Sequence, residues 1–320
     1  MMHWKKLGQI FNPLDHDLGG NCEYFAQSPQ TLVLKDRVRV YFSTRESQEH
    51  GMFVSKIRYV DFKKDFSSII EVANHDVLPL GELGTFDEHG IFPINPLRVG
   101  DKIYAYTCGW SRRESVPVET STGLVQSNDD GKTFSRIGLG PVFSASPAEP
   151  VLVGDSFVQA YNGSYHMFYI FGQRWKESTL TEPPARVYKI AQAWSDDGIT
   201  WERNDGKAII ADVLNEDECQ ALPTVLKISE RYHMYFCFRE ATDFRKNPSR
   251  GYRLGYAYSD DLKDWTRADE LAGIAKSKSG WDNEMMCYPH IFEVDGEAYL
   301  LYNGNEFGRF GFGLAKLNMN

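Results

Sequence analysis

Cysteine is scarce in this chain and shows no pattern. Five occur in 320 residues, Cys22, Cys108, Cys219, Cys237 and Cys287, an odd number without a CxxC pair. That argues against a disulfide framework or a zinc knuckle and leads us to expect reduced thiols in a cytoplasmic protein. Long apolar runs are missing as well. None approaches the roughly 20 residues that cross a bilayer, and the start, MMHWKKLGQIFNP, lacks the apolar core and cleavage site of a secretion signal. Like charges are never clustered, and the net charge is −9. Nucleic acid, which needs grouped Lys and Arg to displace counterions, is therefore not expected as a partner, and neither is an anionic membrane. Helical periodicity does not extend beyond a couple of turns.

What the chain does have is repetition. Five segments read as a strand, a tight polar turn and an aromatic strand: PQTLVLKDRVRVYFSTR, PLRVGDKIYAYTCGW, FVQAYNGSYHMFYIFG, PTVLKISERYHMYFCFRE and PHIFEVDGEAYLLYNGN. Their last large aromatics, Tyr41, Tyr106, Tyr169, Phe236 and Tyr302, are spaced by 65, 63, 67 and 66 residues. Downstream lies a second repeat, GLVQSNDDGKTF, IAQAWSDDGITW and LGYAYSDDLKDW, with RYVDFKKDF as a degenerate copy. Its Asp-rich turns suit Asp, which hydrogen-bonds its own backbone two residues on. Each unit then has four antiparallel strands. The expectation is an all-β, five-bladed β-propeller occupying residues 1–320 as a single domain. The fifth unit ends without its fourth strand, and HWKKLGQI at the start matches TFSRI, TWERN and DWTRA. The N-terminal strand is expected to complete the last blade and close the ring, hiding two sheet edges.

In such a ring the loops leading into each innermost strand rim one face. Counting back from the aligned aromatics places Glu23, Glu88, Glu218 and Glu284 at equivalent positions, with Glu149 offset by two residues and Asp87 and Asp282 close by. Carboxylates converging on one funnel repel one another, and perturbed acids concentrate at active sites. His89 and His290 follow two of the acids and suit sugar hydroxyls or a metal. Tyr288 lies beside His290. Trp110, Trp175 and Arg239 follow second strands and suit a sugar pocket. Cys22, Cys219 and Cys287 lie near the rim, where burial is their expected role.

These features together resemble the five-bladed glycosidase superfamily of arabinanases, β-xylosidases, invertases and levansucrases. The resemblance runs over the whole chain and is most specific in FDEHGIFP, DECQALP and WDNEMMCYPH. It implies three carboxylates: a base or nucleophile in the first blade, a pKa-tuning Asp in the second and a general-acid Glu. Asp87 matches the second. Glu218 followed by Cys219 resembles the Glu-Cys pair of the invertase branch. Where the family has Asp-Pro in its first blade, this chain has Ser28-Pro29, and Glu23, Asp282 and Glu284 are the possible replacements. The implied activity is glycoside hydrolysis by paired carboxylates in the central pocket, through Asp87, Glu218, Glu284 and Asp282, with Glu23, Glu88, His89, Trp110, Glu149, Trp175, Arg239, Tyr288 and His290 contacting a carbohydrate substrate. A glycoside phosphorylase or transglycosidase is the alternative, with Arg239, Arg112, Arg113 and Arg174 as phosphate contacts. A non-catalytic carbohydrate-binding propeller is a third reading. No cofactor is implied. Related propellers sometimes carry an axial calcium, and no ligand set here is specific for one.

Overall fold

The computed structural model describes residues 2–177 and 183–318, which form five four-stranded sheets. Blade I is β2 (Cys22–Val33), β3 (Arg37–Ser47), β4 (Phe53–Lys63) and β5 (Ile69–Val72). Blade II is β6 (Ile91–Val99), β7 (Lys102–Arg112), β8 (Val118–Ser127) and β9 (Ser135–Arg136). Blade III is β10 (Val153–Tyr161), β11 (Ser164–Lys176), β12 (Ala185–Ser195) and β13 (Glu202–Arg203). Blade IV is β14 (Glu218–Ile228), β15 (Arg231–Glu240), β16 (Arg253–Ser259) and β17 (Thr266–Arg267). Blade V is β18 (Cys287–Val294), β19 (Glu297–Asn303), β20 (Phe312–Leu317) and, as its outermost strand, β1 (Trp4–Phe11). The expected closure is therefore present: Trp4 pairs with Leu317 and Phe11 with Phe312. The innermost strands touch in turn, β2 with β6, β6 with β10, β10 with β14, β14 with β18 and β18 with β2, which completes the ring.

The blades are bonded to one another by repeated side-chain devices. In the Asp turns, Ser127, Ser195 and Ser259 each donate a hydroxyl hydrogen bond to the Asp two residues on. Backbone N–H groups of Thr200 and Ile199 hold the Asp197 carboxyl down to about 2. These turns then dock on the preceding blade. Tyr41 donates to the Gly131 carbonyl at 2.6 Å and Tyr106 to that of Gly198 at 2.9 Å. The aromatic opening each outer strand packs edge-on against a ring of that same preceding blade: Phe134 on Tyr41, Trp201 on Tyr106, Trp265 on Phe168 and Trp4 on Tyr235. Such pairs contribute about 0.5–1.5 kcal/mol each beyond burial.

One further repeat positions the site. Every innermost strand carries a two-against-one bulge, opposite Phe42, Cys108, Tyr169, Phe236 and Tyr302. The bulged pairs are Ser28-Pro29, Phe92-Pro93, Asp155-Ser156, Leu222-Pro223 and Tyr288-Pro289. Proline fits there because the bulge interrupts the ladder and leaves no N–H to satisfy. Ser28, Asp155, Leu222 and Tyr288 all take positive φ, between 49° and 54°. Four strained non-glycine residues at one repeated position mark a place where the backbone re-aims a side chain.

Candidate active site

The lead-in acids are gathered by the fold, but away from the axis. Asp87 accepts two hydrogen bonds from the Arg136 guanidinium, at 2.8 and 2.6 Å. Glu149 accepts from Arg203 at 2.9 Å, Tyr169 at 2.7 Å and the Gly206 N–H at 3.1 Å. Glu218 accepts from Arg267 at 2.5 Å and from the Val213 and Leu214 N–H groups. Asp282 accepts from Lys6 at 2.6 Å and Tyr302 at 3.2 Å. The four bases occupy one repeated position, two residues after the aromatic that opens the outer strand, on β9, β13, β17 and β1. Each blade from II to V thus pins its lead-in loop to its own outermost strand with a buried acid–base pair. Burial works to raise the Glu218 carboxyl, yet the bonds from Val213 and Arg267 leave it below its ordinary value.

This arrangement corrects the expected pair of carboxylates across the central pocket. Asp87, Glu149, Glu218 and Asp282 are drawn outward by a base and are not among the residues lining the central cavity. Glu284 is exposed and also lies off the cavity, its backbone held by Asn305 and Lys276. Glu23 is exposed. Glu88 accepts from the Gly84 N–H at 3.0 Å. His89 stacks near Trp110 at 5.5 Å, and its pKa is lowered first by burial and then by Arg112. His290 is buried, its Nε2 3.1 Å from the Thr31 N–H, and burial takes its pKa down to about 3. Tyr288 sits against Phe92 and Tyr252. Of the phosphate candidates, Arg112 bonds to Gln48 and Phe53, Arg113 pairs with Glu119, and Arg174 pairs with Asp217. Trp110, Trp175 and Arg239 do line the cavity.

That cavity has a volume of about 580 Å³ and opens on the face where the innermost strands begin. The size is ordinary for a small-molecule site. Blades I to IV contribute its walls. Phe53, Phe92, Trp110, Trp175, Tyr188 and Phe244 give aromatic faces, and charge comes from Arg45, Arg186, Arg239, Arg245, Lys246, Asp155 and Asp243.

Asp155 is the bulge residue of blade III, and it is the one carboxylate among the five bulge positions. It is 8% exposed, and Oδ2 accepts one weak bond, from the Leu222 N–H at 3.3 Å. Burial pushes its carboxyl up to about 7, against an opposing pull from Arg186. A carboxylic acid so placed holds a proton near neutral pH and can deliver it.

The cations are treated differently from those of the pins. Among the described residues, none of the five has a carboxylate within 4.0 Å. Arg239 is 4% exposed and fixed by the carbonyls of Glu240 and Ala241, the Tyr188 hydroxyl and the Phe244 ring at 3.5 Å. Its Nε has no hydrogen-bond partner among the described residues. Burial, and then the neighbouring Arg239, lowers the pKa of Arg245. Buried, like-charged guanidiniums without counter-ions make a site for an anion.

Sequence reasoning missed Asp155, Arg45, Arg186, Arg245 and Lys246. For Asp155 a signal existed. Aligning the chain on its Ser-Pro, Phe-Pro, Leu-Pro and Tyr-Pro dipeptides sets Asp155-Ser156 in the same column. Counting back 14 residues from Tyr106, Tyr169, Phe236 and Tyr302 reaches the same column, but the pinned acids, which precede the bulge by 5, 6, 4 and 6 residues in blades II to V, draw attention away from it.

The chain is 32% identical over 317 residues to the Mycobacterium tuberculosis proteins "Uncharacterized protein MT1551" and "Uncharacterized protein Rv1502", covering 99% of each. It belongs to the Rv1502 family. A beta-1,2-mannobiose phosphorylase of Thermoanaerobacter sp. is also 32% identical, over 110 residues that make up 33% of this chain and 34% of that one. No family model matches the sequence. Among solved structures, a glycoside hydrolase superposes with a TM-score of 0.73 at 17% identity, covering 97% of this chain and 90% of that one. The beta-1,2-mannobiose phosphorylase from Listeria innocua gives 0.66 at 13% identity, covering 100% and 96%. This member of the Rv1502 family therefore has the five-bladed fold of the glycosidase propellers that its sequence resembles.

Proposed function

We propose that this protein is a cytoplasmic carbohydrate-active enzyme that cleaves a glycosidic bond by phosphorolysis, with Asp155 as general acid. One observation carries the reading: among the described residues the cavity pairs one buried carboxyl group, that of Asp155, with a wall of cations from blades III and IV, Arg186, Arg239, Arg245 and Lys246, that lack carboxylate partners. Hydrolysis requires a second, ionised carboxylate to activate water. Among the described residues the other carboxylate lining the cavity, Asp243, lies exposed on the loop after β15. Phosphate supplies its own nucleophilic oxygen and needs cations to hold it.

In the step proposed, a phosphate oxygen bonds to the anomeric carbon as the bond to the leaving oxygen breaks. Asp155 gives that oxygen its proton and is recharged by the proton lost from phosphate. The products are a sugar 1-phosphate and an alcohol, with no change of oxidation state. The partial match to a beta-1,2-mannobiose phosphorylase supports this reading, as do Trp110 and Trp175, whose faces suit a sugar ring. The test is turnover of a panel of disaccharides with and without inorganic phosphate. We expect sugar 1-phosphate to form only when phosphate is present, and to be lost in Asp155→Asn. Release of free reducing sugar at the same rate without phosphate would overturn the proposal.

A further inference from the structure

The cavity holds more positive charge than phosphate alone accounts for. Among the described residues five cations and two carboxylates line it, an excess of three positive charges with both acids ionised and of four when Asp155 keeps its proton. One phosphate dianion balances two of them. The cations also divide between walls. Arg239, Arg245 and Lys246 come from blade IV and the loop after β15, and Arg186 lies on β12, while Arg45 reaches the cavity from the end of β3 in blade I, where burial, and then the facing charge of Arg245, lowers its pKa.

Arg45 is built into the aromatic side of the cavity. Its guanidinium lies between the rings of Phe25, at 4.0 Å, and Phe53, at 4.3 Å. Phe53 in turn packs 5.8 Å from Trp110. Among the described residues its one hydrogen bond to protein is from Nε to Gln27, at 3.3 Å, so both terminal nitrogens keep their donors free. Two rings fix the plane of the fork and exclude water from its faces, leaving only its edge for a ligand. A sugar lying on Phe53 and Trp110 would meet that edge with its own substituents.

We propose that the sugar taken by this cavity carries an anionic group of its own, a phosphate ester or a carboxylate, bound by Arg45. The proposal rests on the reading of the cavity as a glycoside site whose inorganic phosphate is held by the blade IV cations, and it adds a second anion subsite to it. Glucose, mannose and galactose, their 6-phosphates and their uronic acids are titrated calorimetrically into the full chain at saturating inorganic phosphate. The expected result is that a charged sugar binds about tenfold more tightly than its neutral parent, the scale of one hydrogen bond to a charged group. The 6-phosphate and uronate arms distinguish the two sources. Arg45→Gln should erase that difference and leave the affinity for inorganic phosphate within about twofold, while Arg45→Lys, which keeps the charge, should retain part of it. Melting curves of both variants check that they fold.

Equal binding of charged and neutral sugars overturns the proposal, as does failure of every charged sugar to bind. Complete displacement of the charged sugar by inorganic phosphate also overturns it, since that means one anion site and not two. If inorganic phosphate itself neither binds nor is consumed, phosphorolysis is wrong, and an Arg45-dependent preference for charged sugars would still be read independently.

Discussion

The pins at the periphery and the cavity at the axis both hold charge away from water, and they handle it oppositely. At the periphery each acid meets a base from its own blade, as Glu218 meets Arg267 at 2.5 Å and Asp87 meets Arg136 at 2.6 Å. In the cavity Asp155 holds a proton instead of a partner, and Arg239 keeps a buried donor unmatched. A paired charge serves the frame, because the protein itself completes it. An unpaired one raises the energy of the empty site and lowers it again when a ligand of matching charge arrives. Acids in a shared loop position are therefore no guide to reactivity until their counter-ions are known.

The comparison can be broken most severely at β1. Removing residues 2–11 deletes the outer strand of blade V, the Lys6–Asp282 pair and the Trp4–Tyr235 contact together. We expect loss of cooperative unfolding in urea, and a truncated chain that melts like the full one would refute ring closure. Next come the pins. Glu218→Gln or Asp87→Asn should cost about 3–5 kcal/mol in chemical denaturation, since one buried charge is left unmatched. Stability kept with turnover lost would instead move that acid into the reaction.

Asp155→Asn should behave in the opposite sense. Turnover should fall by about 10²–10⁴, the usual weight of a general acid. The carboxyl's pKa is raised in the folded state, so ionising it opposes folding. That cost is absent below the unfolded value near 4, grows as pH rises, and is complete above about 7. The variant should therefore melt higher than wild type at pH 8 and equally at pH 4, while wild-type turnover declines as pH rises through about 7. The smallest effect is expected at the aromatic wall. Trp110→Ala should raise KM by about two- to tenfold, the value of one stacking contact, with kcat little changed.

Much of the frame was legible in sequence because its signals are local. The Asp turns, the aromatic strands and the match of HWKK to TWER each sit within a dozen residues, and all three appear in the fold. The basic residue two places after each outer-strand aromatic was equally visible in TFSR, TWER, DWTR and HWKK, and it decides the fate of the lead-in acids. Its meaning was not legible, because Arg136 and Asp87 are 49 residues apart and only the closed blade joins them. The cavity was least legible. Arg239 could be picked out after its second strand and Asp155 by its column, but Arg45, Arg186, Arg245 and Lys246 share no spacing and resemble ordinary strand-end or loop residues until the ring is assembled.

The repeated bulge has one more consequence. Ser28, Phe92, Asp155, Leu222 and Tyr288 are seated at corresponding points of five bulges, four of which share the same positive φ, so the side chain presented there is set by occupancy and not by architecture. Exchanging Ser28 and Asp155 would carry the acid two blades around the axis, at the loss of the Leu222 N–H bond to Asp155, and would leave every pin and Asp turn in place. Of the five side chains Phe92 and Asp155 reach the cavity, so on the proposed reading the address of the acid is a choice of side chain at a repeated point and not a property of the frame.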